Sequence, residues 1–367
     1  MKAVFTGGHL SPLLAVLDVM PKDIDLLVIG RKYALEGDKV LSLEYQTLNK
    51  EKVRFENITA ARLQRKFTRH TLAALFKFPL GFVQSLLILL KFKPEVVLSF
   101  GGYVSLPVTL ASFVLGIPVV IHEQTLEAGL SNRISSFFAK KICISWETSR
   151  KFFPKSKVVM TGNPVREFSI FNFKFSISDE KIPLVYVTGG SSGSHAINLL
   201  IEGCLEKLLV NCKIIHQTGG AKEYNDLERL KKIKDSLNQK FQKRYFLAKF
   251  IEPCDVGSIV NASDLVVSRS GISTITELLF FAKPSLLIPL PFSQNNEQKK
   301  NALLLQNLGL GEIIDQEKTS CDLLYDKMIE MLNNIEKYKK SREVVKTLIK
   351  KDAAQKLIEV CYAQKKN

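Results

Sequence analysis

Leu265-Val266-Val267-Ser268-Arg269-Ser270-Gly271-Ile272-Ser273-Thr274-Ile275-Thr276-Glu277 reads as a short apolar strand, a Ser-Gly turn and the opening of a helix. An unbroken apolar run that ends in a turn and a helix marks a strand covered on both faces, as in a parallel sheet. Ser273, Thr274 and Thr276 fall in the first helical turns, where free N–H groups and the helix dipole favour an anion. Glu277 follows one turn in, spaced to accept two hydrogen bonds from a ribose diol. A helix cap accounts for Ser273, but not for Glu277 and the glycine turn together.

The same unit recurs outward along the chain. Apolar runs at 2–5, 26–29, 96–99, 118–121, 141–144 and 157–160 alternate with helical stretches. The alternation restarts at 184–188, 213–217, 244–250, 265–268 and 285–289. Strand–helix alternation of this kind predicts an α/β fold of two doubly wound, Rossmann-like domains, with ligands beyond the carboxyl ends of the strands. Residues 168–183 lack helical periodicity and read as the linker or a surface loop. At 367 residues two domains are the expectation from length as well.

Composition narrows the partners. Apolar residues make up 46% and charged residues 24%, which suits a folded α/β protein rather than a disordered chain. The 52 Lys and Arg outnumber 36 Asp and Glu, a net charge of +16 that favours an anionic partner. The six cysteines are scattered with no CxxC pair, which argues against a disulfide or zinc framework. Met1 leads directly into a strand and glycine turn, so no signal peptide is expected, and the apolar stretch 78–90 is too short to span a bilayer.

Most glycine-bearing segments sit at strand ends. Thr6-Gly7-Gly8-His9 follows the first strand; His9 would project into the ligand crevice as a general base, although a tight structural turn explains the glycines too. Ser99-Phe100-Gly101-Gly102-Tyr103-Val104-Ser105 and His122-Glu123-Gln124-Thr125 follow strands of the same half, with Glu123 able to orient or polarise a hydroxyl. Gly189-Gly190-Ser191-Ser192-Gly193-Ser194 opens a helix and suits a diphosphate. No Gly-Lys-Ser/Thr follows it and no GxGxxG occurs at the first turn, which removes Walker-loop and nicotinamide readings. Gln298 and Asn301 can read sugar hydroxyls, and Arg166 can neutralise phosphate charge or form a surface salt bridge. Between Arg62 and Lys93, basic residues (Arg62, Arg65, Lys66, Arg69, Lys77) alternate with Leu and Phe, a pattern suited to an anionic bilayer. No nucleic-acid module accompanies it, so no nucleic-acid partner is expected.

Six of these motifs, joined by Ala128-Gly129-Leu130-Ser131-Asn132 and Gly162-Asn163-Pro164-Val165-Arg166, make eight that occur in an order that resembles the MurG family. The likeness spans nearly the whole chain. It implies a GT-B fold of two Rossmann-like domains with a cleft between them: 1–165 for acceptor and membrane, 166–340 for UDP-GlcNAc, and 341–367 as a C-terminal helix packing back on the first. It further implies inverting transfer of N-acetylglucosamine from UDP-GlcNAc to the C4 hydroxyl of the muramyl sugar of lipid I, forming lipid II at the cytoplasmic face of the membrane.

By match, Thr6, Gly7, Gly8, Thr125, Arg166, Ser191, Ile251, Ile272, Ser273, Thr274, Ile275, Thr276, Glu277 and Gln298 would hold the donor. Ile251 would read uracil through its backbone and Glu277 the ribose. Gly101, Gly102, Tyr103, Ser105 and Asn132 would meet the acceptor, and either His9 or Glu123 would take the proton. No cofactor and no catalytic metal are expected. The chain departs from the family pattern at Val4-Phe5, where two more glycines are usual, at Thr125 in place of Asn, and at Ser192 in place of Gln. Two other readings remain at this level: a different GT-B enzyme, such as a UDP-GlcNAc 2-epimerase or glycolipid synthase, and a non-catalytic basic protein that binds membrane or nucleic acid.

Overall fold

The computed structural model describes residues 1–33, 41–60, 69–166, 182–220 and 224–365, with the side chains of 69–76, 294, 346 and 347 left aside. The chain forms two compact units: Met1–Arg166 with Lys350–Asn367, and Glu167–Ile349. The linker expected at 168–183 lies almost wholly outside the described residues.

The first unit runs β1 (Lys2–Thr6), α1 (Leu10–Asp18), β2 (Asp25–Gly30), α2 (Leu43–Lys50), β3 (Arg54–Asn57), α3 (Arg69–Phe92), β4 (Val96–Ser99), α4 (Gly102–Val114), β5 (Val119–Glu123), α5 (Leu130–Ser135), β6 (Lys141–Ile144) and β7 (Val158–Met160). All described strand pairs are parallel, in the order β3-β2-β1-β4-β5-β6-β7. Alternate side chains of each strand feed two cores. Val4, Ile29, Val97, Ile121 and Ile142 face α3 and α4, while Ala3, Phe5, Val28, Leu98 and Cys143 face α1. That division by twos is why these strands read as unbroken apolar runs.

The second unit repeats the plan with β8 (Leu184–Thr188), α6 (His195–Asn211), β9 (Lys213–Gln217), α7 (Asp226–Ser236), α8 (Gln239–Arg244), β10 (Tyr245–Ala248), α9 (Pro253–Ala262), β11 (Leu265–Ser268), α10 (Ile272–Phe280), β12 (Ser285–Leu287), α11 (Glu297–Asn307), β13 (Gly311–Ile313), α12 (Cys321–Asn333), α13 (Ile335–Lys339) and α14 (Arg342–Leu348). Its parallel order is β10-β9-β8-β11-β12-β13. In both sheets the order reverses beside the first strand, the point where open α/β sheets bind ligands.

Two strands escape the apolar-run criterion, and both lie at sheet edges. β3 is mostly exposed and carries Arg54 and Glu56, and β13 is three residues with one glycine. Edge strands keep water on one side and are often charged. The run at 244–250 is likewise shorter than expected: residues 239–244 form α8, and the strand proper is Tyr245–Ala248.

The tail divides. Helix α14 packs against α10 in the second unit, whereas α15 (Ala353–Gln364) belongs to the first. The return therefore begins at Lys350 rather than at residue 341. Ala354, Leu357, Ile358 and Cys361 form an i, i+3, i+4, i+7 stripe that joins the core shared with α1, β4 and β5. Leu357 has no exposed surface. Leu357→Ala should destabilise the first unit by about 2–5 kcal/mol, read as a lower urea midpoint at unchanged slope; an unshifted midpoint would show that the tail does not hold this core.

Candidate active site

The carboxyl edge of the second sheet carries two turns that differ from ordinary loops in being open. At Gly190, with φ +84°, and at Gly271, an added Cβ would meet no atom within 4 Å. Neither position therefore carries a side chain's worth of cover on its outer face, although the Gly190 N–H itself donates to Thr188 Oγ1 (3.0 Å). Gly271 is the N-cap of α10 and supplies no side-chain cap, so the first N–H groups of that helix are left to a ligand or to water.

The framework beneath these turns is tightly bonded. Arg269 donates to the carbonyls of Ile288 (2.9 Å) and Pro289 (3.4 Å), to Ser194 Oγ (2.7 Å) and to Gln316 Oε1. It thereby ties the β11 turn to the cap of α6 and the end of β12. Burial draws its pKa down to about 10, which leaves it cationic at neutral pH. Ser270 Oγ donates to the Gln298 carbonyl (2.7 Å), and Asn301 Nδ2 donates to the Ser270 carbonyl (3.0 Å). Gln217 is a further brace: its Nε2 donates to Thr188 Oγ1 (3.2 Å) and the Gly190 carbonyl (2.9 Å), while its Oε1 accepts from Ile251 N–H (2.9 Å). Neither Arg269 nor Gln217 was assigned a role from sequence; the signal available was an Arg and a Gln at the ends of strands that flank glycine turns.

Glu277 is the exception in this well-satisfied frame. Its carboxyl group is half-buried, and among the described residues it has no hydrogen-bond or ion-pair partner. Burial pushes its pKa up to about 7. A carboxylate withdrawn from water without compensation is expensive to keep, and such groups concentrate at functional sites. Gln298 spends Oε1 on Leu290 N–H (2.9 Å) and keeps its NH2 for a partner.

Several residues expected to hold the donor are committed elsewhere. Thr276 Oγ1 donates to the Ile272 carbonyl of its own helix (2.8 Å), and Ile272 and Ile275 are core side chains. Only their backbone remains for a ligand. Ile251 N–H is taken by Gln217, which leaves its carbonyl to accept from a base N–H. Ser191 is exposed at its turn, and Ser273 and Thr274 are half-buried at the start of α10.

In the first unit the glycine turn is closed. Gly7 N–H donates to the Ile29 carbonyl (2.8 Å), and Gly8 N–H donates to Glu44 Oε1 (2.9 Å). Gly8, at φ +134°, abuts the Gly101 carbonyl so closely that a Cβ would lie 2.4 Å from it. Thr6 is fully buried, its Oγ1 accepting from Phe100 N–H (3.2 Å). This turn is not the vacant anion cradle that its sequence suggests, because its amides are already satisfied.

His9 follows that turn as the N-cap of α1 without capping it. Its imidazole is half-buried, and among the described residues it makes no hydrogen bond. Burial lowers its pKa to about 4, so its imidazole is neutral at pH 7 and would need a partner for the imidazolium before it could hold a proton. Glu123 is the opposite case. Oε1 accepts from Thr125 N–H (2.9 Å) and Oγ1 (2.6 Å), and Oε2 accepts from Gly129 N–H (3.0 Å) and Asn132 Nδ2 (3.0 Å). Burial raises its pKa and these four donors oppose the rise. A carboxylate so saturated organises its surroundings; Asn132, which it holds, packs under Gly101. Ser105 Oγ donates to the Gly102 carbonyl (2.8 Å) and is buried, whereas Tyr103 lies half-buried beneath the Arg31 guanidinium, 4.3 Å from ring to cation. Cation–π contact of this kind fixes the ring.

Arg166 requires a correction. It pairs bidentately with Asp18 (2.6 and 2.7 Å) and lies 3.7 Å from Glu51. Asp18 ends α1 and Glu51 follows α2, so the guanidinium sits at the amino edge of the sheet, opposite the glycine turns. Its charge is spent on carboxylates and does not reach a diphosphate at the carboxyl edge of this unit. Among the described residues no group of three or more His, Cys, Asp or Glu side chains is arranged to hold a metal.

The chain matches the glycosyltransferase family 28 N-terminal domain over residues 2–144 and the corresponding C-terminal domain over 184–357. Relatives from Caldicellulosiruptor saccharolyticus (34% identical; 96% of this chain, 94% of the relative) and Geobacter metallireducens (32%; 98% and 97%) both carry the name UDP-N-acetylglucosamine--N-acetylmuramyl-(pentapeptide) pyrophosphoryl-undecaprenol N-acetylglucosamine transferase. Among solved structures the fold is shared with MurG of Acinetobacter baumannii (TM-score 0.71, 24% identical, 99% and 100% covered). It is also shared with a Neisseria meningitidis UDP-GlcNAc 2-epimerase bound to UDP-GlcNAc (0.67, 16%, 99% and 100%). Identity at this level over nearly the full length, together with both family 28 domains in order, places this chain in the MurG family of GT-B glycosyltransferases.

Proposed function

We propose that this chain transfers N-acetylglucosamine from UDP-GlcNAc to the C4 hydroxyl of the muramyl sugar in lipid I, yielding lipid II and UDP with inversion at the anomeric carbon. The observation that carries the donor half is Glu277: a carboxylate without a partner, beside an uncapped helix N-terminus and an open glycine. The ribose diol would donate to that carboxylate, uracil N3–H to the Ile251 carbonyl, and a sugar hydroxyl would accept from Gln298. The α10 amides and the Gly190–Ser191 turn would bear the charge that grows on the departing diphosphate. This reading calls on no resident cofactor.

His9 would take the C4 proton as the hydroxyl oxygen bonds to the anomeric carbon and the bond from that carbon to the β-phosphate oxygen breaks. It is neutral and unpartnered, whereas the lone pairs of Glu123 are filled. Glu123, Thr125 and Asn132 would instead hold the acceptor loop that includes Gly101, Gly102 and Tyr103. An epimerase shares the fold but needs no acceptor, and the saturated Glu123 network would then serve no second substrate.

The same proposal places the chain peripherally on the cytoplasmic face of the membrane. No helix among the described residues is long and apolar enough to cross a bilayer. Leu80, Val83, Leu87 and Leu90 of α3 are exposed in one stripe at helical spacing, with Lys91 and Lys93 beside them. Apolar anchors beside cations suit an anionic headgroup region. Arg62, Arg65 and Lys66, assigned to the same surface, lie outside the described residues, as does the Arg69 side chain.

Three outcomes are expected. UDP affinity measured by calorimetry should weaken about tenfold from pH 8 to pH 6, the loss of ionised Glu277 across a pKa near 7. Glu277→Gln should remove that dependence and, because the raised pKa marks a cost of ionisation, stabilise the fold at pH 8; a pH-independent wild type contradicts the assignment. His9→Ala should lower kcat about 10²–10⁴-fold with UDP affinity unchanged, and unaltered turnover in a radiolabelled lipid I assay would rule His9 out. Leu87→Glu should weaken sedimentation with phosphatidylglycerol vesicles while leaving UDP binding intact; equal sedimentation would remove α3 from the docking surface.

A further inference from the structure

Glu44 lies outside every motif that carries the transferase reading, yet it occupies the centre of the first glycine turn. Its carboxylate accepts from Gly8 N–H at 2.9 Å and from the Arg31 backbone amide. A Cβ built on Gly7 would fall 2.1 Å from Glu44 Oε1, and one on Gly30 would fall 2.9 Å from Oε2. The carboxylate thus lies flat against the ends of β1 and β2, in the space that glycine turns at strand ends usually leave for a phosphate. Its approach is set by the start of α2. Ser42 Oγ donates to the Arg31 carbonyl (2.6 Å) and accepts from Tyr45 N–H (3.1 Å), and Ser42 N–H donates to the Lys32 carbonyl (2.8 Å). The helix that bears Glu44 is therefore pinned to the same strand end that Glu44 touches.

The contrast with the second unit is direct. There Gly190 and Gly271 face open space; here the space over the glycine pair is filled by a side chain of like charge to a phosphate.

We infer that Glu44 is a positioning residue: its carboxylate takes the place of a bound anion in the first glycine turn, fixes the Gly8 peptide and thereby the imidazole of His9, and excludes substrate diphosphate from that turn. This rests on the proposed transfer reaction with His9 as its base. Gly8 has the geometry to transmit such an effect, being held between the Glu44 carboxylate on one side and the Gly101 carbonyl and Gly102 Cα on the other. Removing the carboxylate frees the only side-chain anchor described for the Gly7–Gly8 peptide, one residue ahead of His9.

The test uses the full chain with Glu44→Ala and Glu44→Gln, the latter keeping an acceptor oxygen for Gly8 N–H. Glu44→Ala should lower kcat about 10- to 100-fold, the scale expected for a displaced catalytic group, with UDP affinity by calorimetry unchanged. Glu44→Gln should recover most of the lost turnover. If the turn is instead a phosphate cradle that Glu44 merely obstructs, Glu44→Ala will lower the KM for UDP-GlcNAc or lipid I and leave kcat intact, which overturns the inference. A readout independent of turnover is the ¹H–¹⁵N resonance pair of the His9 ring. It should move in Glu44→Ala and return in Glu44→Gln; an unmoved His9 resonance in Glu44→Ala also overturns the inference. Absence of lipid II from the wild-type chain would sink the proposed reaction, and the His9 resonances would still decide the role of Glu44.

Discussion

The carboxyl edge of a parallel sheet leaves backbone N–H groups that must find a partner, and this requirement governs both halves of the molecule. Strand ends and helix starts converge there, so each turn either satisfies its amides from within the chain or presents them to a ligand. The first unit takes the first course. Gly7 bonds to the neighbouring strand, Gly8 to Glu44, and Glu123 gathers the amides of Thr125 and Gly129. The second unit takes the other at the start of α10, where Gly271 offers no side-chain cap, while Gly190 bonds its N–H to Thr188 Oγ1 and leaves only the space above it open. One architecture thereby yields a closed surface beside His9, the proposed base, and an open surface suited to a nucleotide diphosphate.

The distribution of unpartnered groups follows the same division. Most buried polar groups of both units are bonded, as folded proteins require. Among the described residues the side chains of His9 and Glu277 have no hydrogen-bond partner, and burial moves their pKa values in opposite directions, to about 4 and about 7. Each shift favours the neutral form, which leaves a lone pair on His9 but opposes its protonation, and which opposes ionisation at Glu277. A ribose diol that donates two hydrogen bonds to Glu277 would restore what burial removed. On the proposed function, the cost of leaving that carboxylate unpaired would be coupled to substrate binding rather than lost to the fold.

Much of this was legible in the amino-acid sequence, for identifiable reasons. Covered strands announce themselves as apolar runs, and eleven of the thirteen described strands do so. β3 and β13 do not, because edge strands such as Arg54–Asn57 need no apolar face. Glycine turns were visible by their position, but their state was not. Nothing local distinguishes Gly7-Gly8, plugged by a residue 36 positions from Gly8, from Gly189-Gly190, whose second glycine faces open space. Long-range contacts account for the other differences as well: Arg166 is captured by Asp18 at a separation of 148 residues, and Ile251 loses its N–H to Gln217. Residue type and spacing show which groups could bind a ligand; only the fold shows which are already spoken for.

The central claim is that the diphosphate of the donor is bound by the open turns of the second unit and not by the closed turn of the first. Backbone ¹H–¹⁵N spectra of the full chain, recorded as UDP is added, test this directly. The account predicts that the amides of Gly190, Ser191 and residues 271–273 shift with a common affinity while those of Gly7 and Gly8 remain in place. A saturating shift at Gly7 and Gly8, with none at 271–273, would contradict it.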